Sequence, residues 1–509
     1  MTIEEASLQR SRALVHALRD TLVREHGEAV PLIETHISWV LLAGEHAYKI
    51  KKPLRLSFLD FGTLALRRHF CDEELRLNRR FAPQLYLGVL PITGTADAPR
   101  LAGEGEAIEF ALQMRRMHDD DLASARLAHG ALDAADFERF ALTLALWHRA
   151  APVAAADAEW GTPQRVAEDL ANLLADWPHA ADADAVADLR QWFAAQADDT
   201  AARVAQRLAA GHVRECHGDL HLDNLAWLDG ALGAFDCLEF DPALRWIDTA
   251  SEVAFLAMDL QARQRHDLAH AFVNAWLEAS GDAAALPLLR RYSVYRALVR
   301  ARVSRLREAH DAAAARAGVA AGYLALAQRL ARQWEPRLLV THGLPGSGKT
   351  WVTHALIGAS GAIRWRSDVE RRRMLGSGHY QAADSEAVYR RLGELAALSL
   401  ASGYPTIVDA ACLRRHERDA LRAVAARLHA PCLLLHCDAP PEVLRQRVRE
   451  RAQRGSDASE ADEAVLERLS AQVEPLAADE TAHALRIDTS AAPSSAWLAG
   501  HWLALANPI

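Results

Sequence analysis

Gly343-Leu344-Pro345-Gly346-Ser347-Gly348-Lys349-Thr350 fits the pattern G-x-x-x-x-G-K-[ST]; the apolar run Leu338-Leu339-Val340 precedes it, and the helical stretch Trp351 to Gly358 follows. Glycines let successive backbone N–H groups turn inward around phosphate oxygens, and the N-terminus of the following helix adds its positive dipole. In that strand–loop–helix context Lys349 is placed to reach the β- and γ-phosphates of a nucleotide, and Thr350 to offer its hydroxyl to Mg²⁺. The alternative is a glycine-rich turn that binds nothing, which the flanking elements oppose.

A second stretch, His217-Gly218-Asp219-Leu220-His221-Leu222-Asp223-Asn224, is followed twelve residues after Asn224 by Phe235-Asp236 at the end of an apolar run. An aspartate, an asparagine five residues later and a further aspartate form the kinase catalytic-loop arrangement. Asp219 would orient and deprotonate an attacking hydroxyl, while Asn224 and Asp236 would hold Mg²⁺ through oxygen ligands. His217 and His221 lack the companions of a zinc-type ligand set and read as loop histidines bonded to the backbone.

Of the 58 basic residues only four are lysine: Lys49, Lys51, Lys52 and Lys349. Arginine does not replace lysine where a compact ammonium must meet a phosphate, so these positions are candidates for lysine-specific roles. Lys349 lies in the phosphate loop; the others form a cluster that is either a second site or a solvated patch. On a strand, Lys49 and Lys51 share one face and Lys52 takes the other.

The elements that must position these residues follow from periodicity and punctuation. A helix over residues 1–30 ends near Gly27, and strands Ile37–Leu42 and Ala47–Ile50 flank the turn Ala43-Gly44-Glu45. A helix from about Leu64 to Phe81 carries Glu73 and Glu74, and strands follow at Leu85–Ile92 and Ala107–Arg115. A lysine on an early strand and an acid on the next helix can pair to orient ATP phosphates. Residues 132–210 read as helical with breaks at Pro163 and Pro178; Asp248 and Glu252 read as helical and structural; 284–334 reads as helical up to Pro336. The domain junction is placed at 326–336, giving domains 1–330 and 331–509.

Beyond the phosphate loop, strands at 362–365, 406–409, 432–437 and 485–487 alternate with helices at 369–375, 385–402, 414–429 and 441–453. Such alternation implies a parallel sheet covered on both faces, with ligands beyond the carboxyl ends of its strands. Asp409 suits a carboxylate near Mg²⁺, or a strand-end aspartate bonded to the next turn. Asp368 is a candidate base for an acceptor hydroxyl or an N-cap for the helix from Val369. Arg447 and Arg451, i and i+4, share a face before the polar stretch Gly455–Asp462, as in a lid over phosphates or a solvated basic face.

Residues His217–Asn224 resemble the H-G-D-x-H-x-x-N signature of the aminoglycoside phosphotransferase and choline kinase group. The resemblance covers about residues 30–325 and implies a bilobal, protein-kinase-like α+β fold. It implies Asp219 as base, Asn224 and Asp236 as metal ligands, Lys49 or Lys51 as the phosphate-orienting lysine, and Glu74 as its helix partner. The G-x-G-x-x-G loop of protein kinases is absent. The stretch GLPGSGKT, with Ser367–Arg371 and the later arginines, resembles P-loop small-molecule kinases over residues 337–490. Gluconate kinases, zeta toxins and polynucleotide 5′-kinase domains are the analogues there. The implied whole is a bacterial fusion of a phosphotransferase-like domain with an α/β P-loop domain of AAA-family ATPase type. Its implied cofactors are ATP and Mg²⁺, and its implied acceptors are hydroxyls of small molecules. A regulatory N-terminal half beside one active P-loop half is the competing expectation.

Composition frames these readings. The 509 residues exceed what one core usually supports. A net charge of −9 opposes bulk nucleic-acid binding, which ranks a 5′-polynucleotide kinase last. No apolar run reaches membrane-spanning length, the N-terminus lacks a signal-peptide core, and the six cysteines contain no C-x-x-C pair. Those features lead to the expectation of a cytoplasmic protein.

Overall fold

The computed structural model describes residues 3–504 apart from 57–58, 156, 310–317, 333–334, 377–381, 455–460 and 492–493. It forms two compact units, Met1–Ala171 with Asp198–Leu256, and Asn172–Ala197 with Ala257–Ile509. The packed units therefore divide elsewhere than the 330/331 junction. Helices His266–Ser280, Leu286–Glu308 and Val319–Ala331 belong to the second unit. The helix His266–Ser280 buries Leu268, Ala269, Phe272, Val273, Trp276 and Leu277 and needs cover on several sides. A proline such as Pro336 interrupts a helix without marking the limit of a core.

The first unit is built on a six-stranded antiparallel sheet. Its strands are β1 (Leu32–Glu34), β2 (Ser38–Ala43), β3 (His46–Lys51), β6 (Tyr86–Thr95), β7 (Ala98–Leu101) and β8 (Ala107–Arg115), in the order β1-β2-β3-β8-β6-β7. The short pair β4 (Arg55–Leu56) and β5 (Leu59–Asp60) stands apart. Alternation along β2 and β3 sends Trp39, Leu41, Tyr48 and Ile50 to one core with Val15, Leu18 and Leu22 of the helix Ile3–His26. Lys49 and Lys51 point to the opposite side, where the helix Leu64–Asn78 lies; Thr63 caps that helix by accepting from the Leu66 N–H. Helices Ala134–Ala150, Pro163–Leu174, Ala183–Ala194 and Ala197–Ala209 occupy the region read as helical, the third of them in the second unit. Pro163 opens its helix, where a missing N–H costs nothing.

The catalytic-loop region of this unit adds β9 (Val213–Glu215), β10 (Leu225–Leu228), β11 (Ala231–Ala234) and β12 (Trp246–Asp248). Asp248 ends a strand, contrary to the helical expectation; its carboxylate takes a bidentate pair from Arg207 at 2.6 and 2.7 Å. Glu252 does lie on a helix, Thr249–Ala262.

In the second unit β13 (Leu338–His342), β14 (Ile363–Arg366), β15 (Thr406–Asp409), β16 (Cys432–Asp438) and β17 (Ala484–Asp488) form a parallel sheet of order β14-β15-β13-β16-β17. β13 is buried at every position, as expected of a central strand with both faces covered. Asn274 clips the helix His266–Ser280 to the β14 end of this sheet: its Oδ1 accepts from the Arg364 N–H at 2.8 Å and its Nδ2 donates to the Ala362 carbonyl at 2.9 Å.

Candidate active sites

In the first unit, β10 and β11 pair with Leu225 opposite Ala234 across the turn Asp229-Gly230. Both turn residues have positive φ, 51° and 93°, as a type I′ hairpin requires. The hairpin explains the spacing of the motif: it folds the chain back so that the Phe235 N–H donates to the Asn224 carbonyl at 3.0 Å, leaving Asp236 beside Asn224. Asn224 Nδ2 in turn donates to the Asp219 carbonyl at 2.9 Å and to its carboxylate Oδ2 at 3.0 Å. Asp219, Asn224 and Asp236 are thus brought together.

Asp236 sits at φ 61°, a left-handed conformation uncommon outside glycine. Two residues to which the sequence reading gave no role hold it there. Tyr86 Oη accepts from the Asp236 N–H at 3.0 Å, and Asn78 Oδ1 accepts from the Cys237 N–H at 2.9 Å. No local motif flags either, because both contacts join distant segments.

Lys49 Nζ donates at 2.7 Å to both Glu74 Oε1 and Asp236 Oδ1. Lys51 Nζ donates at 2.7 Å to Glu74 Oε2, and also to Glu239. Glu74, and not Glu73, is therefore the helix partner; Glu73 pairs with Arg76 and Arg245. Lys49 reaches the open side of the cluster, next to Asp236, whose side chain is 47% exposed, whereas the Lys51 side chain is 1% exposed. Burial works against the charge on Lys49, but Asp236, Glu74 and Glu239 hold its pKa well above the ordinary lysine value. Burial likewise opposes ionisation of Glu74, yet the two lysines bring it down to about 2. Burial dominates at Glu239 and raises its pKa despite Lys51. Three carboxylates against two ammoniums leave the cluster one charge negative, open towards Asp236. Lys52 faces away and donates to Glu34 at 2.8 Å.

Behind the loop, Glu252 accepts from the backbone N–H groups of His217 and Gly218 and pairs with His148 Nε2 at 2.7 Å. Burial opposes its charge, but His148, His217 and the Gly218 N–H pull its pKa down to about 2. Glu252 is a buried post for the loop, consistent with its structural reading. His217 Nε2 meets the Phe235 carbonyl at 2.9 Å, and His221 Nδ1 accepts from the Asp223 N–H at 3.3 Å. Both histidines order the loop backbone.

In the second unit a cavity of about 640 Å³ is lined by Pro345, Gly346, Gly348, Lys349 and Thr350 together with Asp368, Asp409, Arg447 and Arg451. Gly346 and Gly348 have φ of 82°, and a Cβ on Gly346 would lie 2.7 Å from the Leu444 carbonyl oxygen. Only glycine fits that closeness and conformation. Lys349 Nζ donates to the carbonyls of Gly343 and Leu344, each at 2.9 Å, and burial lowers its pKa. The hydroxyl of Ser347 is buried with no hydrogen-bond partner. A glycine bend and a desolvated ammonium lining one concavity, with the orphaned Ser347 hydroxyl buried in the same loop, fit a polyphosphate.

Asp409 ends β15 inside this cavity and accepts from the Thr353 hydroxyl at 3.1 Å. Asp368 is not an N-cap: its helix runs Ser367–Leu375 with Arg366 at the cap position, so Asp368 lies within the first turn. Its carboxylate lines the cavity with no hydrogen bond or ion pair among the described residues. Arg447 braces the loop: it donates to the Gly346 carbonyl at 3.2 Å and to the Thr489 hydroxyl and carbonyl at 3.0 and 2.8 Å. Arg451 donates to the Ala461 carbonyl at 2.8 Å. Most of the polar stretch read as a lid, 455–460, lies outside the described residues.

Two family models match this chain, one over each candidate site. Residues 62–282 match the model of the phosphotransferase enzyme family, and residues 338–476 match that of an AAA domain. Uncharacterized proteins of Mycobacterium tuberculosis and Mycobacterium bovis are 31% identical over 442 residues, spanning 84% of this chain and 87% of theirs. A sugar kinase from Janibacter is 26% identical over 33% of this chain and 94% of its own, with a TM-score of 0.27. A choline/ethanolamine kinase family protein from Mesorhizobium loti is 13% identical over 62% of this chain and 94% of its own, with a TM-score of 0.37. Among the described residues no helix is long and apolar enough to cross a membrane.

Proposed function

From the premise that this chain belongs to the family of those mycobacterial proteins, a phosphotransferase region joined to a P-loop kinase-like region, we propose a bifunctional ATP-dependent phosphotransferase. Each half moves the γ-phosphoryl group of ATP to a hydroxyl of a small molecule. The observation that carries the reading is Lys49 bonded at once to Glu74 and Asp236. This triad is already assembled, and its Asp236 side is open to solvent, where a phosphate would approach. Its counterpart in the other half is the glycine bend around Lys349.

In the first half Lys49 meets the phosphates, and Glu74 and Lys51 hold it in place. Asn224 and Asp236 supply the oxygen atoms that would hold Mg²⁺, a hard ion suited to such donors. Mg²⁺ supplies charge neutralisation on the phosphates. Asp219 aligns the acceptor hydroxyl and takes its proton, with Asn224 Nδ2 fixing the carboxylate. In the second half the loop N–H groups and Lys349 seat the phosphates, Thr350 and Asp409 lie on the metal side, and Asp368 takes the acceptor proton. Catalysis in both is chiefly positioning and charge compensation.

The test is phosphoryl transfer from γ-labelled ATP into a metabolite pool, comparing the protein with its Asp219→Asn and Lys349→Ala variants. Distinct labelled products lost in each variant support two active sites. Products lost only in Lys349→Ala leave the N-terminal half as a ligand-binding module. Products unchanged in both variants and in the double variant reject the reading.

A further inference from the structure

Trp351 follows Thr350 directly, in the first turn of the helix Lys349–Ser360, and lines the same cavity as the phosphate loop. It is 53% exposed. Among the described residues its indole enters no ring stack, cation–π pair or hydrogen bond. A large aromatic side chain left open at the mouth of a polar cavity is a cost in water, which burial elsewhere would remove. Side chains of a helix lean towards its N-terminus, and the indole shares the cavity lining with Gly346, Gly348, Lys349 and Thr350. An apolar ring face beside a cradle for phosphates is complementary to one chemical class, a planar base carrying phosphates.

We infer that Trp351 is the stacking platform for the nucleobase in the P-loop cavity and a determinant of its nucleotide preference. The inference rests on the reading of that cavity as a nucleotide site. A base stacked on an aromatic side chain loses about 1–3 kcal/mol on truncation to alanine, or about 5–150-fold in affinity. The base can belong to the donor nucleotide or to a nucleotide acceptor.

The test is calorimetric titration of the full-length chain in a Lys49→Met background, which removes the phosphate-facing lysine of the other half. Mg-ATP, Mg-tripolyphosphate, and AMP added with Mg-tripolyphosphate are the three probes. Trp351→Ala and Trp351→Phe are compared with the parent. The expected result is Mg-ATP affinity at least fivefold weaker in Trp351→Ala, largely restored in Trp351→Phe, with tripolyphosphate binding unchanged. An unchanged Mg-ATP affinity with weakened AMP binding assigns the stacked base to the acceptor. Mg-ATP and AMP affinities within twofold of the parent overturn the inference, and so does an equal loss for tripolyphosphate, which would make Trp351 a support of the loop. A parent that binds neither ATP nor tripolyphosphate refutes instead the underlying reading of the cavity.

Discussion

Lys49 and Lys51 lie two residues apart on one strand face and share Glu74, yet their replacement should give opposite phenotypes. Lys51 lies between Glu74 and Glu239, with side chains that are 1%, 0% and 4% exposed, and its ammonium sits 4.8 Å from the centre of the Phe61 ring. Lys51→Met removes the cation while leaving Glu239 buried without its hydrogen-bonded partner, with Lys49 still acting on it. Breaking a buried pair from one side costs about 3–5 kcal/mol. Lys49→Met is milder, because Glu74 keeps Lys51 and the half-exposed Asp236 can return to water. Its cost should stay near 1–2 kcal/mol, the range for one imperfectly compensated partner.

Denaturant unfolding at pH 7, paired with Mg-ATP titration, separates the two. Lys51→Met should be the less stable protein. Lys49→Met should bind Mg-ATP at the first site at least tenfold more weakly, since a charge-assisted bond to phosphate contributes about 1.5–3 kcal/mol. The pair Lys51→Met with Glu239→Leu should recover most of the loss, because it removes both buried charges together. Stability of Lys51→Met should also approach that of the parent as the pH falls, since protonated Glu239 no longer needs a cation. The reasoning is refuted if Lys51→Met lies within about 1 kcal/mol of the parent, or if Lys49→Met is the more destabilised of the two.

Glu252→Ala should cost about 3–5 kcal/mol, because the His217 and Gly218 N–H groups and His148 lose one acceptor together; thermal unfolding measures the loss. His342 donates its Nδ1–H to the Cys412 carbonyl at 3.0 Å, and burial holds its pKa down to about 4. The unfolded chain takes up this proton from pH 6.5 downwards while the folded chain does not, so stability falls between pH 6.5 and 4 and is greatest above that window. The loss at pH 5 is about 2 kcal/mol, and the difference in urea midpoints between pH 7.5 and pH 5 should shrink in His342→Asn. Asn274→Ala leaves the Arg364 N–H and the Ala362 carbonyl without their partner. It should cost about 2–4 kcal/mol and speed amide exchange at Arg364, as read by mass spectrometry.

Much of both sites was legible in the sequence because each motif is local. The phosphate loop sits in one strand–loop–helix unit, and the catalytic loop and Asp236 are joined by a hairpin whose Asp-Gly turn is a direct sequence signal. The strand face carrying Lys49 and Lys51 follows from period two alone. What could not be read is what distant segments contribute. Tyr86 and Asn78 fix the backbone at Asp236 from another strand and another helix, Glu239 competes for Lys51, and Asn274 closes a sheet end 88 to 90 residues further along the chain. Hydrophobic periodicity marked 284–334 as helical without saying which core those helices cover, and there the expected junction and the packed units part.

The scarcity of lysine carries an argument of its own. Three of the four lysines have Nζ atoms placed where a branched, planar guanidinium would need more room. Lys49 and Lys51 are each wedged between two carboxylates, and Lys349 is folded onto two loop carbonyls at 2.9 Å. Lys52 lies on the other strand face, apart from the cluster: it pairs with Glu34, donates to the Thr35 carbonyl and lies 5.3 Å from the centre of the Trp39 ring. Retention of lysine in an arginine-rich chain thus reports tight geometry around the ammonium, and phosphate binding is one cause of such tightness among others. Lys49 and Lys51 make the distinction concrete, since both satisfy the geometric rule and only Lys49 borders the open side of its cluster. A lysine-to-arginine series should therefore damage folding most at position 51, ligand binding most at 49 and 349, and neither appreciably at 52.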